Sequence, residues 1–152
     1  MNTSIHNRNQ AFIAIAAQLP EKRQRVFQLI LQHPNITAQE LAQKTMLPIN
    51  EITGRITELK NAFLVVETGS KTNRYSNKKN TAYRVVNSVE ERIDLINAAL
   101  VRLREQREEL EGDCHLAISG LCLSLIQKEI LKIKGRQRSL EKILEQIKTV
   151  TI

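Results

Sequence analysis

Tryptophan is absent from the chain, and aromatic side chains make up only 3% of it, two Tyr and three Phe. A core built without large rings must come mainly from Ile, Leu, Val and Ala, which favours helices. Acidic residues are missing altogether from residues 68–87, a segment that holds five Lys or Arg. The flanks are close to balance, with seven basic against five acidic residues in 1–67 and eleven against eleven in 88–152. The middle segment therefore supplies most of the net charge of +7. A cationic patch confined in this way points to nucleic acid or an anionic membrane surface.

Long apolar runs are also missing. The longest uncharged apolar-leaning run, "LAISGLCLSLI" at residues 116–126, falls well short of the roughly 20 residues that span a bilayer. The N-terminal "MNTSIHNRNQ" has no apolar segment of the kind a secretory signal needs, so a soluble, cytoplasmic protein is expected. The two cysteines, Cys114 and Cys122, read as lying on one helix. Eight residues there span about 12 Å, too far for an intrachain disulfide, and a reducing compartment suits both thiols. His115 and Cys122 are two ligands at most, with His6 and His33 remote in sequence, so no metal site is expected. Cys114 would suit a redox sensor if a cation or a resolving Cys stood nearby, and neither does. There is no Gly-rich phosphate loop, no nucleophile with a recognisable base, and no carboxylate pair outside heptad surface positions. The sequence therefore predicts no catalytic residues, no enzyme activity and no cofactor.

What is present falls into three parts. "NRNQAFIAIAAQL" suits one short helix, and "PEKRQRVFQLILQHP" a second, with Pro20 in its first turn, Pro34 at its end, and Val26, Leu29, Ile30 and His33 on one face. Thr37 and Glu40 form the Thr-x-x-Glu pattern of a capping box that opens a helix through about Lys44. "TMLP" interrupts it, and Pro48 can begin the next helix, where Ile49, Ile52, Ile56 and Leu59 share a face. The opposite face carries Asn50, Gly54, Thr57 and Asn61, flanked by Glu51, Thr53, Arg55 and Glu58. Two short helices joined by a tight turn, the second with a polar and small-residue outer stripe, are what a helix-turn-helix needs to enter the major groove. Gly54 in mid-helix costs about 1 kcal/mol against Ala and leaves room for a backbone to approach DNA. Glu51 and Glu58 would repel phosphates unless they point off the contact surface or read a cytosine amino group.

The second part is a hairpin. "FLVVE" and "TAYRVV" have strand composition and enclose a basic, Gly/Asn/Ser-punctuated loop. Cations gathered there without a carboxylate repel one another unless an anion is at hand. The tip has no Trp, Leu or Phe to insert into lipid, which favours double-stranded DNA over a membrane surface.

The third part opens at a second capping box, Ser88 with Glu91, and continues as a heptad rhythm through Ile93, Ile96, Leu100, Leu103, Arg107 and Leu110. "EGDC" suggests a stop, with Gly112 ending one helix and Asp113 capping the next. Leu123, Ile126, Ile130, Ile133, Gln137, Leu140, Leu144 and Ile147 then keep the same rhythm. These helices can fold back on each other, pair with a second chain, or do both. In an isolated hairpin Leu116, Ile118, Leu121, Leu125, Leu131 and Ile143 lie off the seam, which argues for a homodimer. Arg107 and Gln137 at seam positions are candidates for setting register, with a snorkelling Arg107 as the alternative.

Together, "LPINEITGRITELKNAFLVV" and the following "GSKTNRYSNKKNTAYRVV" resemble the winged helix-turn-helix domains of bacterial and phage regulators. The likeness is MarR-like, close to small DNA-binding proteins of phages and mobile elements, and covers about residues 20–86. It implies a recognition helix at 48–61 and a wing at 63–86. Thr53, Gly54, Arg55 and Thr57 carry over as groove-facing residues, joined by Asn50 from the face pattern, and Lys71, Arg74, Lys78 and Lys79 as wing contacts. Phe63 departs from the family's usual Gly. Phe suits positive φ poorly, so either Asn61 ends the helix earlier or the wing leaves at another angle. The expected fold is mainly α with a small β-hairpin wing: a winged helix-turn-helix at 1–87 and an antiparallel helical hairpin or coiled coil at 88–152. The expected function is sequence-specific binding of double-stranded DNA as a homodimer, with transcriptional regulation as the outcome. A protein-interaction adaptor that docks a partner through the coiled coil is the rival, and a DNA-organising or partition protein shares the same chemistry.

Overall fold

Proline sets two helix starts and threonine a third. A computed structural model describes residues 19–72, 77–117 and 119–150; the helix expected over "NRNQAFIAIAAQL" lies outside them apart from Leu19, as do Arg74 and Ile118. Helix α1 (Glu21–Gln32) starts at Pro20, whose carbonyl accepts the N–H groups of Arg23 and Gln24, both at 2.9 Å. It buries Val26, Phe27 and Ile30. His33, expected on that face, is exposed, because the backbone leaves helical geometry at this residue and the 3.6-residue period stops with it.

Strand β1 (Ile36–Thr37) leads into α2 (Ala38–Thr45) through the capping box. The Thr37 hydroxyl accepts the Glu40 N–H at 3.2 Å, and the Thr37 N–H donates to the Glu40 carboxylate at 2.7 Å. At the other end, buried Thr45 donates its hydroxyl to the Leu41 carbonyl at 2.8 Å and accepts the Leu47 N–H at 3.3 Å. Met46 takes a left-handed conformation with φ 59°, which turns the chain into Pro48 and α3 (Ile49–Asn61).

The left-handed residue that closes helix α3 is Phe63, at φ 54°. The Leu64 N–H reaches the Leu59 carbonyl at 3.0 Å and the Phe63 N–H reaches that of Lys60 at 2.9 Å. These are the paired bonds of a Schellman cap, sealed by the buried side chains of Leu59 and Leu64. The left-handed turn thus falls on Phe63 and not on Asn61, the last helical residue, and Phe63 accepts the strain, which costs a non-glycine residue about 1–2 kcal/mol. Phe63→Gly and Phe63→Ala both delete the ring, and only Gly relieves the backbone. The Gly variant is expected to be the more stable by about 1 kcal/mol in urea unfolding, the reverse of the order inside a helix.

Strands β2 (Val65–Thr72) and β3 (Lys79–Val85) form the hairpin, and β1 joins its other side to give a three-stranded antiparallel sheet in the order β1-β3-β2. Ile36 pairs with Tyr83 and Val65 with Val85. The ladder shifts register between Glu67 and Gly69, with Gly69 at φ 138°, a β-bulge that a glycine accommodates. Both strands run further toward the tip than composition suggests, so Lys71 and Lys79 belong to the sheet. Ile30, Ile36, Leu41, Ile52, Ile56, Leu59, Val65, Ala82 and Val85 bring α1, α2, α3 and the sheet onto one buried core.

The chain divides into two compact units at Ser88/Val89. The second consists of α4 (Val89–Leu116) and α5 (Gly120–Val150), which pack on each other within the chain. They run antiparallel: Arg107 donates to the Gln137 side-chain oxygen at 3.4 Å, and Glu111 faces Lys134 at 3.8 Å. The two polar seam residues thus meet. Ile96, Leu103, Ile130, Ile133, Leu140 and Ile147 are buried, and Ile93, Leu100, Leu123, Ile126 and Leu144 half-buried. The expected stop at "EGDC" is overturned. Helix α4 continues through Gly112 and Asp113 to Leu116, since one interior glycine costs about 1 kcal/mol, small against the packing of a long helix. The real boundary is Ser119, whose side chain accepts the Cys122 N–H at 3.2 Å. Cys114 and Cys122 accordingly sit on different helices rather than one, as free thiols.

The whole is mostly helical, with a small antiparallel sheet and two long C-terminal helices. No helix among the described residues is long and apolar enough to cross a membrane.

Candidate nucleic-acid interface

Helix α3 packs Ile52, Ile56 and Leu59 inward and leaves Ile49, Asn50, Thr53, Thr57, Lys60 and Asn61 exposed, with Gly54 half-buried. The open stripe is therefore centred on Thr53 and Thr57, rotated from the axis through Gly54 that an ideal helical wheel predicts. Ile49, read from its spacing as part of the buried face, is 49% exposed. As the first residue of the helix, it has no preceding turn to cover it.

Both threonine hydroxyls donate back to the helix, Thr53 to the Asn50 carbonyl at 3.0 Å and Thr57 to the Thr53 carbonyl at 2.9 Å. With their protons engaged, the two oxygens have acceptor capacity left for the amino groups that adenine and cytosine show in the major groove. Asn50 accepts the Glu51 N–H at 3.0 Å through its side-chain oxygen, which leaves its amide donors for an acceptor elsewhere.

The two glutamates that would oppose phosphate are turned toward α1. Glu51 pairs with Lys22 at 2.7 Å, and Glu58 with Arg23 at 2.7 Å. Glu58 also holds Arg55 at 2.9 Å. Arg55, expected to face the groove, is thus drawn off the stripe: its guanidinium is tied to Glu58 and its Nε is buried. One carboxylate shared by two guanidiniums leaves this flank of α3 net positive, although each exposed pair contributes little stability by itself.

On the hairpin, Lys78 and Lys79 are exposed, and no ion pair holds either among the described residues. Lys71 lies 3.7 Å from Glu40, which makes it part of the α2 cap as well as of the basic strip. Burial alone would raise the Glu40 pKa; the Thr37 N–H and hydroxyl and the Lys71 ammonium outweigh it, and the carboxyl sits below its ordinary value. A lowered folded-state pKa means that Glu40's contribution is complete above the usual glutamate range and is lost as pH falls through the lowered value. The stability gap between wild type and Glu40→Gln, measured in urea, is expected to hold at neutral pH and to close below about pH 4.

An open cleft of about 630 Å³ lies between α2, the start of α3 and β3, lined in part by Gln39, Gln43, Ile49, Thr53, Lys79 and Tyr83. Asn80 spans it by donating to the Gln39 side chain at 3.0 Å. Gln39, Gln43, Asn80 and Tyr83 join the site without a signal in the sequence, because nothing local in "TAQELAQK" or "KKNTAYRV" records that these segments meet. Lys60, also exposed, is paired with Glu67 of β2. Among the described residues no group of three or more His, Cys, Asp or Glu is placed to hold a metal ion.

No protein-family model and no curated protein sequence matches this chain. Among solved structures, a crystal structure of Streptococcus pneumoniae FabT in complex with DNA is similar at 15% sequence identity and a TM-score of 0.39, over 81% of this chain and 78% of that one. The fold is defined by the chain's own element order and strand register.

Proposed function

We propose that the protein binds double-stranded DNA sequence-specifically as a homodimer in the cytoplasm and regulates transcription. In this reading α3 enters the major groove, Asn50, Thr53 and Thr57 meet base edges, Gly54 lets the helix seat closely, and Lys71, Arg74, Lys78 and Lys79 hold phosphates. Arg55 acts one step back, positioning Glu58 beside α1. One observation carries the reading: the exposed stripe of α3 is cleared of carboxylates by the Glu51–Lys22 and Glu58–Arg23 pairs, beside a hairpin whose Lys78 and Lys79 are exposed and have no ion pair among the described residues. A face that merely met solvent would gain nothing from that clearance.

The homodimer finds support in the apolar side chains left on the helical hairpin. Its seam closes within the chain, yet Leu116, Leu121, Leu125 and Leu131 remain exposed. The same leucines favour a second reading, in which the hairpin docks a different protein. Selection from a random duplex pool tests the first reading: a two-fold symmetric site is expected, since a dimer reads two half-sites about one DNA turn apart. Absence of any enriched duplex would overturn it in favour of the adaptor.

A further inference from the structure

We propose that Ile49 reads the 5-methyl group of thymine in the major groove, an inference that rests on the double-stranded DNA reading above. Ile52, Ile56 and Leu59 are at most 2% exposed, whereas Ile49, spaced to join them, stays half open. A single exposed apolar side chain ordinarily needs no explanation. This one opens the helix whose N-terminal residues contact base edges in a helix-turn-helix. It also lies one turn before Thr53, on the same cleft wall, with Lys79 across from it on β3. That lysine supplies charge complementary to a phosphate backbone drawn against the cleft.

The chemistry then selects the base. In the major groove the four base pairs present acceptors, amino donors and one apolar group, the thymine methyl. Seating Ile49 on that methyl removes apolar surface of both partners from water. Seating it on the amino group of cytosine would strip a donor of its water partner and return nothing. Thr53, next along the wall, keeps an acceptor for an adjacent adenine or cytosine amino group, so the pair at 49 and 53 favours a site with thymine in one fixed position per half-site.

The test uses the full chain and the duplex recovered by selection, with each thymine replaced in turn by uracil, which deletes the methyl and leaves the pairing edge intact. Wild type is expected to lose about fourfold in affinity at one thymine per half-site, the amount one buried methyl group is worth. Ile49→Ala is expected to bind the parent duplex more weakly and to show no further loss at that thymine. Ile49→Leu, which keeps the apolar bulk, should retain the loss. Thermal melts of all three variants should agree closely, because this side chain is half exposed. Equal uracil penalties in wild type and Ile49→Ala, or none in wild type, would overturn the thymine assignment while leaving DNA binding intact. Failure to recover any duplex would overturn both.

Discussion

Replacing Lys78 and Lys79 together by Glu is expected to abolish most duplex affinity and to flatten its response to salt. If three wing cations per protomer each neutralise a phosphate, a dimer releases about six counterions. The logarithm of affinity then falls with a slope of about −5 in log salt, a loss on the order of a thousandfold between 50 and 200 mM. Lys71 is shared with Glu40 and so releases less of a counterion on reaching a phosphate, and the three counted in full are Arg74, Lys78 and Lys79. Removing two of them from each protomer leaves about two contacts per dimer and a slope near −2. Both lysines are exposed and without ion-pair partners among the described residues, so the fold itself should change by no more than about 0.5 kcal/mol. Fluorescence anisotropy on a fixed duplex across a salt series reads the slope, and urea unfolding reads the stability. A wild-type slope near zero would remove the electrostatic role of the hairpin, and unaltered binding by the double variant would favour the adaptor reading.

What the sequence could reveal of this surface divides along a physical line. Local chemistry was legible: the Thr37–Glu40 box, the helix starts at Pro20 and Pro48, the break between α2 and α3, and the presence of a basic hairpin each depend on residues a few positions apart. Contacts between distant segments were not. Strand β1 is two residues long and exists through its pairing with β3, so no period in "NIT" announces it. Ile49 has the spacing of a core residue, but periodicity records direction around a helix and says nothing about whether a neighbour covers its first turn. Arg55 is likewise aimed by Glu58 and Arg23, which lies on another helix. At Phe63 and Gly112 the residue types pointed the wrong way, because tertiary packing outweighed preferences worth about 1 kcal/mol. The exposed stripe therefore lies beside the predicted one, rotated toward the hairpin by packing that no single helix encodes.

Gly54→Ala should separate stability from binding. The glycine sits in the middle of a 13-residue helix, and a Cβ added there would meet nothing within 4 Å, so no internal clash demands it. Its φ is not among the positive ones either, which removes the other structural reason for a glycine. On helix propensity alone Ala should stabilise the first unit by about 1 kcal/mol, which for a domain of this size raises the melting midpoint by about 5 °C. A duplex seated on the Asn50–Thr57 stripe meets the same methyl group from outside. In a close-packed groove contact that displacement is expected to lower affinity by about tenfold, equivalent to about 1.4 kcal/mol. Opposite signs in the two measurements would show that the glycine is kept for the approach of a partner at a cost in stability. A variant both more stable and equally tight in binding would mean that the duplex bears on the Ile49–Thr53 edge alone, with Gly54 outside the contact.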